Sequence, residues 1–265
     1  MGYRIGFDIG STTIKAVVLD ENNQICYKSY ERHKAQVRQK ALDKLVELKK
    51  YTKEPFKFAI SGSGALGLSE QGELPFVQEV FASATGVSKL YPETDCAIEL
   101  GGEDAKILFF QGSVEQRMNS TCAGGTGAFI DQMATLLNMS LEEMNEASLN
   151  YHRLYPIAFR CGVFAKTDIQ PLINQGVDKC DLCASIFQAV VDQTITSLAQ
   201  GRKIEGNILF LGGPLYFMSG LRNRFVETLK LSDVQVNCPD TAINFVALGT
   251  AICADQEYTY DELYK

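Results

Sequence analysis

Residues 6–15 read GFDIGSTTIK, and residues 97–106 repeat their pattern as AIELGGEDAK, an offset of 91 residues. In both copies an acidic residue stands two positions before a glycine, and a lysine follows that glycine by five positions. Self-similarity of this kind indicates that one structural unit occurs twice in the chain.

Each copy of the repeat predicts a strand, a tight turn and a second strand, at 3–9 and 14–19 and again at 96–100 and 106–110. Backbone N–H groups in a turn of glycine and hydroxyl residues can cradle phosphate oxygens, and glycine allows their close approach. The nearby acid offers oxygen ligands to Mg²⁺. Two ordinary hairpins with convenient turn residues are the alternative.

A third glycine turn, Gly212-Gly213-Pro214, follows an apolar strand predicted at 207–211. Two glycines there would let an adenine or ribose lie against the backbone, although an ordinary strand-to-helix turn explains the same residues. Residues 247–251 are small and helical in character, which suits close helix packing.

These four segments, in this order, resemble the acetate and sugar kinase, heat-shock chaperone and actin superfamily. The resemblance implies an α/β protein of two similar ribonuclease H-like (actin-like ATPase) domains with a nucleotide cleft between them. The first domain would comprise residues 1–92 plus about 245–265, and the second 93–244. It implies ATP or ADP with Mg²⁺ near Asp8 and Asp104. The nucleotide-binding residues would be Gly10, Ser11, Thr12, Thr13, Lys15, Glu99, Gly101, Gly102, Gly212, Gly213 and Pro214.

Two cysteines stand just before predicted helices. Cys122 precedes helical apolar spacing at 129–137, and Cys161 precedes a less regular segment in which Pro171 should kink or end the helix. A thiolate at a helix N-terminus gains from the helix dipole, which makes it a good metal ligand. Two cysteines cannot surround a four-iron cluster, but a symmetric dimer would supply four.

The motifs CAGGTG at 122–127 and RCGVFA at 160–165 resemble the ATP-dependent activators of 2-hydroxyacyl-CoA dehydratases and the related activating subunits of benzoyl-CoA reductase. That resemblance implies a homodimer bridged by one 4Fe–4S cluster, with Cys122 and Cys161 as its ligands. It places Gly124, Gly125, Thr126 and Gly127 in a turn close to the phosphates. The activity implied is ATP hydrolysis that drives an electron from a donor such as ferredoxin or flavodoxin into a dehydratase or related reductase.

Three departures from that family's pattern stand out. Glu99 and Glu103 replace the Asp and Gln of the usual second phosphate motif, and a negative Glu103 stands at the catalytic position that would orient the attacking water. The segment 30–34 also differs from the simple activators. It is closer to the N-terminal part of long fusion proteins, so a dehydratase-like part fused C-terminally is one expectation.

Composition argues against several other classes of protein. The 25 basic and 32 acidic residues give a net charge of −7, which argues against a nucleic-acid binder. No apolar stretch approaches the roughly 18–20 residues that span a bilayer, so we expect a cytoplasmic protein that binds neither nucleic acid nor membrane. With only two histidines, an imidazole-rich zinc site is excluded.

The other cysteines have plain interpretations. Cys180 and Cys183 lie in a predicted helix that runs to about residue 198, where a redox role lacks the usual context. The expected small core residues are Cys26, Cys96, Cys238 and Cys253. An amphipathic surface helix is predicted over 31–53, with an apolar stripe at Ala41, Leu42, Leu45, Val46 and Leu48.

Two alternative functions remain at this point. A small-molecule kinase of the same superfamily would need a loop aspartate as general base, and no clear candidate is present. A non-enzymatic, actin-like nucleotide switch would leave the pair Cys122 and Cys161 without a role.

Overall fold

The computed structural model describes residues 2–119, 125–158 and 162–264. The strands are β1 Arg4–Ile9, β2 Thr13–Leu19, β3 Ile25–Arg32, β4 Phe56–Ser61, β5 Cys96–Leu100, β6 Ala105–Phe109, β7 Glu115–Asn119, β8 Ile208–Leu211, β9 Val236–Asn237 and β10 Glu257–Tyr258. The helices are α1 Val37–Leu48, α2 Leu66–Gly72, α3 Glu79–Leu90, α4 Gly127–Leu137, α5 Leu141–Ser148, α6 Gly162–Asn174, α7 Lys179–Thr194, α8 Gly213–Phe217, α9 Ser219–Leu229, α10 Phe245–Cys253 and α11 Tyr260–Leu263.

The chain divides into two compact units. Unit 1 comprises Met1–Pro92 and Ile243–Lys265, and unit 2 comprises Glu93–Ala242. Each unit has one five-stranded sheet and its own hydrophobic core, so each is described by itself.

The sheet of unit 1 has the order β10-β4-β1-β2-β3, in which β1 pairs antiparallel with β2 and parallel with β4. Successive side chains of a strand point to opposite faces of a sheet. Ile5, Phe7 and Ile9 therefore share one face, where they join the core with the apolar side of α1. Gly6 and Asp8 lie on the other face.

Helix α10 packs on the face that carries Gly6. A Cβ at Gly6 would lie 2.2 Å from the Ala247 carbonyl oxygen and 2.3 Å from the Ala251 nitrogen, so only glycine allows this approach. Gly249 brings α10 equally close to α3, where its Cβ would lie 2.1 Å from the Ala82 carbonyl oxygen. The small residues at 247–251 thus serve the close helix packing that the sequence predicted.

The sheet of unit 2 has the order β7-β6-β5-β8-β9. The central strand β5 pairs antiparallel with β6 and parallel with β8, as β1 does with β2 and β4. The outermost strand next to β8 is parallel, whereas its counterpart β10 is antiparallel to β4. Two mixed sheets with matching central strands confirm the α/β fold class predicted from the repeat.

Helix α7 is the core element of unit 2. Contrary to the expectation that no apolar stretch reaches the length of a membrane span, the helical segment Lys179–Ala199, whose last turn is a π-helix, has that length and composition. In the structure, 72% of its apolar window is buried inside the protein. Cys180 and Cys183 lie in its first turns, as predicted, and Pro171 lies inside α6.

Three expectations from the sequence are corrected here. Glu31 belongs to β3, and the helix starts only at Val37, because Lys34 and Ala35 adopt left-handed φ angles of 49° and 61° that separate strand from helix. Val46 is 58% exposed and does not belong to the apolar stripe. Cys26 is exposed, since it lies on the edge strand β3.

Candidate functional site

The first hairpin joins β1 to β2 through a turn that is closed by a 2.9 Å hydrogen bond from the Gly10 N–H to the Thr13 carbonyl. Asp8 and Lys15 are cross-strand partners, and Lys15 Nζ lies 2.7 Å from Asp8 Oδ2. The aspartate is almost completely buried, and its lysine is largely so. A buried carboxylate needs such a partner because an isolated charge is costly to desolvate.

The second hairpin has the same turn hydrogen bond and the same cross-strand pair of acid and lysine. The Gly101 N–H donates to the Asp104 carbonyl over 2.8 Å, and Glu99 is the cross-strand partner of Lys106. Lys106 is buried, with its Nζ 2.8 Å from Asp104 Oδ2 and 3.6 Å from Glu99 Oε1. Glu103 is exposed at the tip. The repeat read from the sequence is therefore also a repeat of the turn hydrogen bond and of the strand register.

The start of helix α4 is attached to the second hairpin. The Gly127 N–H donates to the Gly101 carbonyl at 2.9 Å, and the Ala128 N–H donates to the Gly102 carbonyl at 2.8 Å. These N–H groups belong to the first turn of a helix, which has no partner for them within the helix itself. Gly125, with a φ of 82°, and the buried Thr126 lie just before this contact.

The glycine turn after β8 joins the same cluster in unit 2. Gly212 has a φ of 88°, and a Cβ there would lie 2.0 Å from the Leu100 carbonyl oxygen. Gly127 lies close to Pro214, whose Cγ would be 3.3 Å from an added Cβ. The three segments predicted for nucleotide binding in this unit therefore meet at the carboxyl ends of β5 and β8.

Unit 1 contains a counterpart of Gly212 that the sequence reasoning missed. Gly62 follows β4 with a φ of 98°, and its Cβ would lie 2.2 Å from the Ile9 carbonyl oxygen and 2.7 Å from Asp8 Oδ1. Gly64 lies close behind, since its Cβ would approach the Gly10 carbonyl oxygen to 2.8 Å. The sequence signal for this turn is the run Ser61-Gly62-Ser63-Gly64 after an apolar strand. An offset of 91 does not relate it to Gly212, because unit 2 has additional helices between β7 and β8.

Asp8, Lys15 and Ser61 form a polar row on one face of the first sheet. Asp8 pairs with Lys15 on one side and with Ser61 on the other, and directly paired residues point to the same face. The Ser61 hydroxyl is buried and has no hydrogen-bond partner among the residues that the structure describes. An apolar cavity of about 100 Å³, lined by Phe7, Ile9 and Leu45 among others, lies on the opposite face.

The two arginines after α8 have structural partners. Arg222 donates to the carbonyl of Tyr216 over 2.8 Å and to that of Leu215, at the end of α8. Arg224 is buried, and it bonds to the Gln188 side chain at 3.0 Å and to the Tyr151 hydroxyl. Both guanidinium groups are therefore hydrogen-bonded to residues of unit 2.

Three of the described cysteines have thiols whose pKa is raised by burial. Burial raises the pKa of the Cys96 and Cys183 thiols to about 12, and it also raises that of Cys238. A thiol with so high a pKa stays protonated at neutral pH. Within 2–119, 125–158 and 162–264 there is no group of three or more His, Cys, Asp or Glu side chains that could hold a metal ion. Cys122, Cys161 and Gly124 lie outside those described residues.

The paired hairpins and sheets define the class of protein: an α/β protein with the fold of the actin-like ATPases. The chain belongs to the BadF/BadG/BcrA/BcrD ATPase family, whose model matches residues 5–254.

Relatives of known name match along the whole chain. The activator of lactoyl-CoA dehydratase from Anaerotignum propionicum is 28% identical over 269 residues, with 99% of each chain covered. The crystal structure of Acidaminococcus fermentans (R)-2-hydroxyglutaryl-CoA dehydratase component A is 25% identical, at a TM-score of 0.84 with both chains fully covered. The activator of the 2-hydroxyisocaproyl-CoA dehydratase from Clostridium difficile, solved with bound ADPNP, is 26% identical at a TM-score of 0.83, covering 99% of this chain and 96% of the other.

The family resemblance inferred from the cysteine motifs is thereby confirmed, and so is the activity class, an ATPase. The matches favour neither a small-molecule kinase nor a non-enzymatic switch.

Proposed function

We propose that this chain is an activator of a 2-hydroxyacyl-CoA dehydratase or related reductase, which uses ATP hydrolysis to deliver a low-potential electron to that enzyme. The observation that carries the proposal is the match, over 99% of both chains, to a named dehydratase activator. The motifs around Cys122 and Cys161 support the electron-transfer part.

The nucleotide-binding residues in this proposal are the turns of the two hairpins, Gly10–Thr13 with Lys15 and Glu99–Asp104, together with Gly124–Gly127 and Gly212–Pro214. Asp8 and Asp104 are the residues that would hold Mg²⁺, directly or through water. Each offers carboxylate oxygens, the ligands that this cation prefers, and each uses Oδ2 for a lysine ion pair. Glu103, exposed at the second tip, is the residue next to the attacking water.

Coupling between nucleotide and cysteine would run through helix α4. Its first N–H groups are bonded to the carbonyls of Gly101 and Gly102, so a shift of the second hairpin pulls on the start of the helix. Cys122 precedes that start by five residues. A nucleotide drives such a shift only if it binds the two arrangements with different affinity.

Cys122 and Cys161 are the proposed ligands of a 4Fe–4S cluster shared by two copies of the chain. Six cysteines lie in the described part of the molecule, and they are dispersed over both units without forming a metal site there. A cluster of this kind would supply one-electron chemistry at low potential. The electron donor would be a small redox protein such as ferredoxin or flavodoxin, and the acceptor a dehydratase component, separate or fused C-terminally.

Anaerobic reconstitution with iron and sulfide tests the proposal. We expect about four irons per dimer, with the visible absorbance of a cluster, and loss of both in Cys122→Ser and in Cys161→Ser. Cys180→Ser is the matched control, since Cys180 lies in the first turn of α7, outside the two cysteine motifs, and its replacement should leave the iron content unchanged. A protein that hydrolyses ATP but takes up no iron would refute the electron-transfer role.

A further inference from the structure

His33 lies between β3 and α1, and it is buried with only 3% of its surface exposed. Its ring nitrogen Nε2 lies 3.0 Å from the Gly10 carbonyl oxygen, and its backbone N–H donates to the Thr12 carbonyl at 3.1 Å. One residue thus holds the first hairpin turn at two points.

The tautomer of the neutral imidazole follows from its contacts. The Ala35 N–H donates to Nδ1 over 3.2 Å, so Nδ1 carries no proton. In the neutral ring the proton is then on Nε2, which donates to the Gly10 carbonyl. The left-handed backbone of Lys34 and Ala35 folds the chain back so that this second contact forms.

The contact with Gly10 sets the orientation of one peptide group in the turn. In a planar trans peptide the C=O and the next N–H point in opposite directions. With the Gly10 carbonyl bound to the imidazole, the N–H of Ser11 points away from His33. A turn N–H group held in this way is part of an anion-binding arrangement before any ligand arrives.

The second hairpin holds the corresponding carbonyl by a different donor. Gly101 is the repeat counterpart of Gly10, and its carbonyl accepts from the Gly127 N–H at 2.9 Å. Both units therefore fix the same peptide of the same turn, one through a side chain and the other through a helix N-terminus. Two unrelated solutions at equivalent positions indicate that the orientation of this peptide matters.

We infer that His33 is a positioning residue for the phosphate groups of ATP. It acts through the Gly10–Ser11 peptide, whose N–H it directs toward the nucleotide, and it does not itself touch the substrate. The inference rests on the proposed binding of phosphate by the first hairpin turn.

Two isosteric substitutions separate the contacts of the ring. In His33→Gln the amide nitrogen replaces Nε2 and keeps a donor for Gly10, whereas in His33→Asn the amide oxygen replaces Nδ1 and keeps the acceptor for Ala35. Calorimetric titration of the full chain with ATP and with adenosine provides the readout. We expect His33→Asn to bind ATP about tenfold more weakly and His33→Gln within about twofold of wild type, from the usual worth of one hydrogen bond.

Adenosine affinity should be the same in all three proteins, because His33 acts on the phosphate end alone. Equal ATP affinity of the Asn and Gln variants, or equal losses for ATP and adenosine, would overturn the inference while leaving ATP binding intact. A wild-type protein without ATP affinity would overturn the proposed function as well. If neither variant folds, hydrogen exchange of the Ser11 amide in the wild type decides. Slower exchange with ATP supports the inference, and unchanged exchange refutes it.

Discussion

Replacing Gly62 with alanine should damage both the stability of unit 1 and its first hairpin. The added Cβ would lie 2.2 Å from the Ile9 carbonyl oxygen, a distance that side chains do not tolerate, and 2.7 Å from Asp8 Oδ1. The φ of 98° adds strain of its own, because it lies in a region that L-residues with a Cβ avoid.

The magnitude follows from these two terms. A backbone at φ 98° and ψ 150° lies in a region adopted almost only by glycine and costs an alanine about 1–3 kcal/mol, and forcing β4 away from β1 costs about 1–3 kcal/mol, as in other overpacked sites. The sum, about 2–6 kcal/mol, is a large fraction of the ~5–15 kcal/mol that stabilises a typical domain. Since the clash pushes against the Asp8 carboxylate, we also expect weaker binding of Mg-ATP.

Gly67→Ala is the matched control, because nothing lies within 4 Å of a Cβ there and the residue is in helix α2. That change should be neutral or stabilise by about 0.5–1 kcal/mol through helix propensity. Urea denaturation followed by far-UV circular dichroism, with calorimetric ATP titration, measures both effects. If the two variants agree in stability to within about 0.5 kcal/mol and bind ATP equally, the role assigned to Gly62 is wrong.

Two further predictions concern buried polar groups. Ser61→Ala should leave stability unchanged or slightly raised, because the hydroxyl has no partner among the described residues. Ser185→Ala should lose about 1–3 kcal/mol of stability, since the Ser185 hydroxyl bonds two backbone groups. Denaturant titration of both variants compares them, and an equal loss of stability would contradict the assignment. The Asp181 carboxylate accepts two backbone N–H groups, which lower its pKa, so its stabilisation is present above the unfolded-state pKa of about 3.9 and is lost as the pH falls through the lower native value. Asp181→Asn should therefore be less stable than wild type at pH 7, by about 1 kcal/mol, and the difference should shrink toward pH 3; a gap that stays constant with pH would refute this cause.

Much of the fold could be read from local pattern. Strand, turn and strand in each hairpin follow from an apolar run that ends in an acid and a glycine, because turn geometry is specified by residues within a few positions of one another. The repeat at an offset of 91 predicted the same hairpin twice, and the structure pairs Asp8 with Lys15 and Glu99 with Lys106 at equivalent positions.

The boundary between β3 and α1 was misplaced because it depends on contacts between separate strands, which local pattern does not show. Residues 31–53 have helical periodicity, but Glu31 and Arg32 pair with β2 and therefore belong to strand β3. Tertiary context overrides local propensity at such boundaries.

The sequence by itself determined the twofold hairpin, the glycine turn at 212–214 and the family to which the cysteine motifs point. Only the tertiary structure decided that Gly62 matches Gly212, that His33 holds the Gly10 carbonyl and that α4 begins on the second hairpin. Each of these contacts joins residues from different elements. Their formation depends on how whole strands and helices pack, and spacing along the chain carries no signal for it.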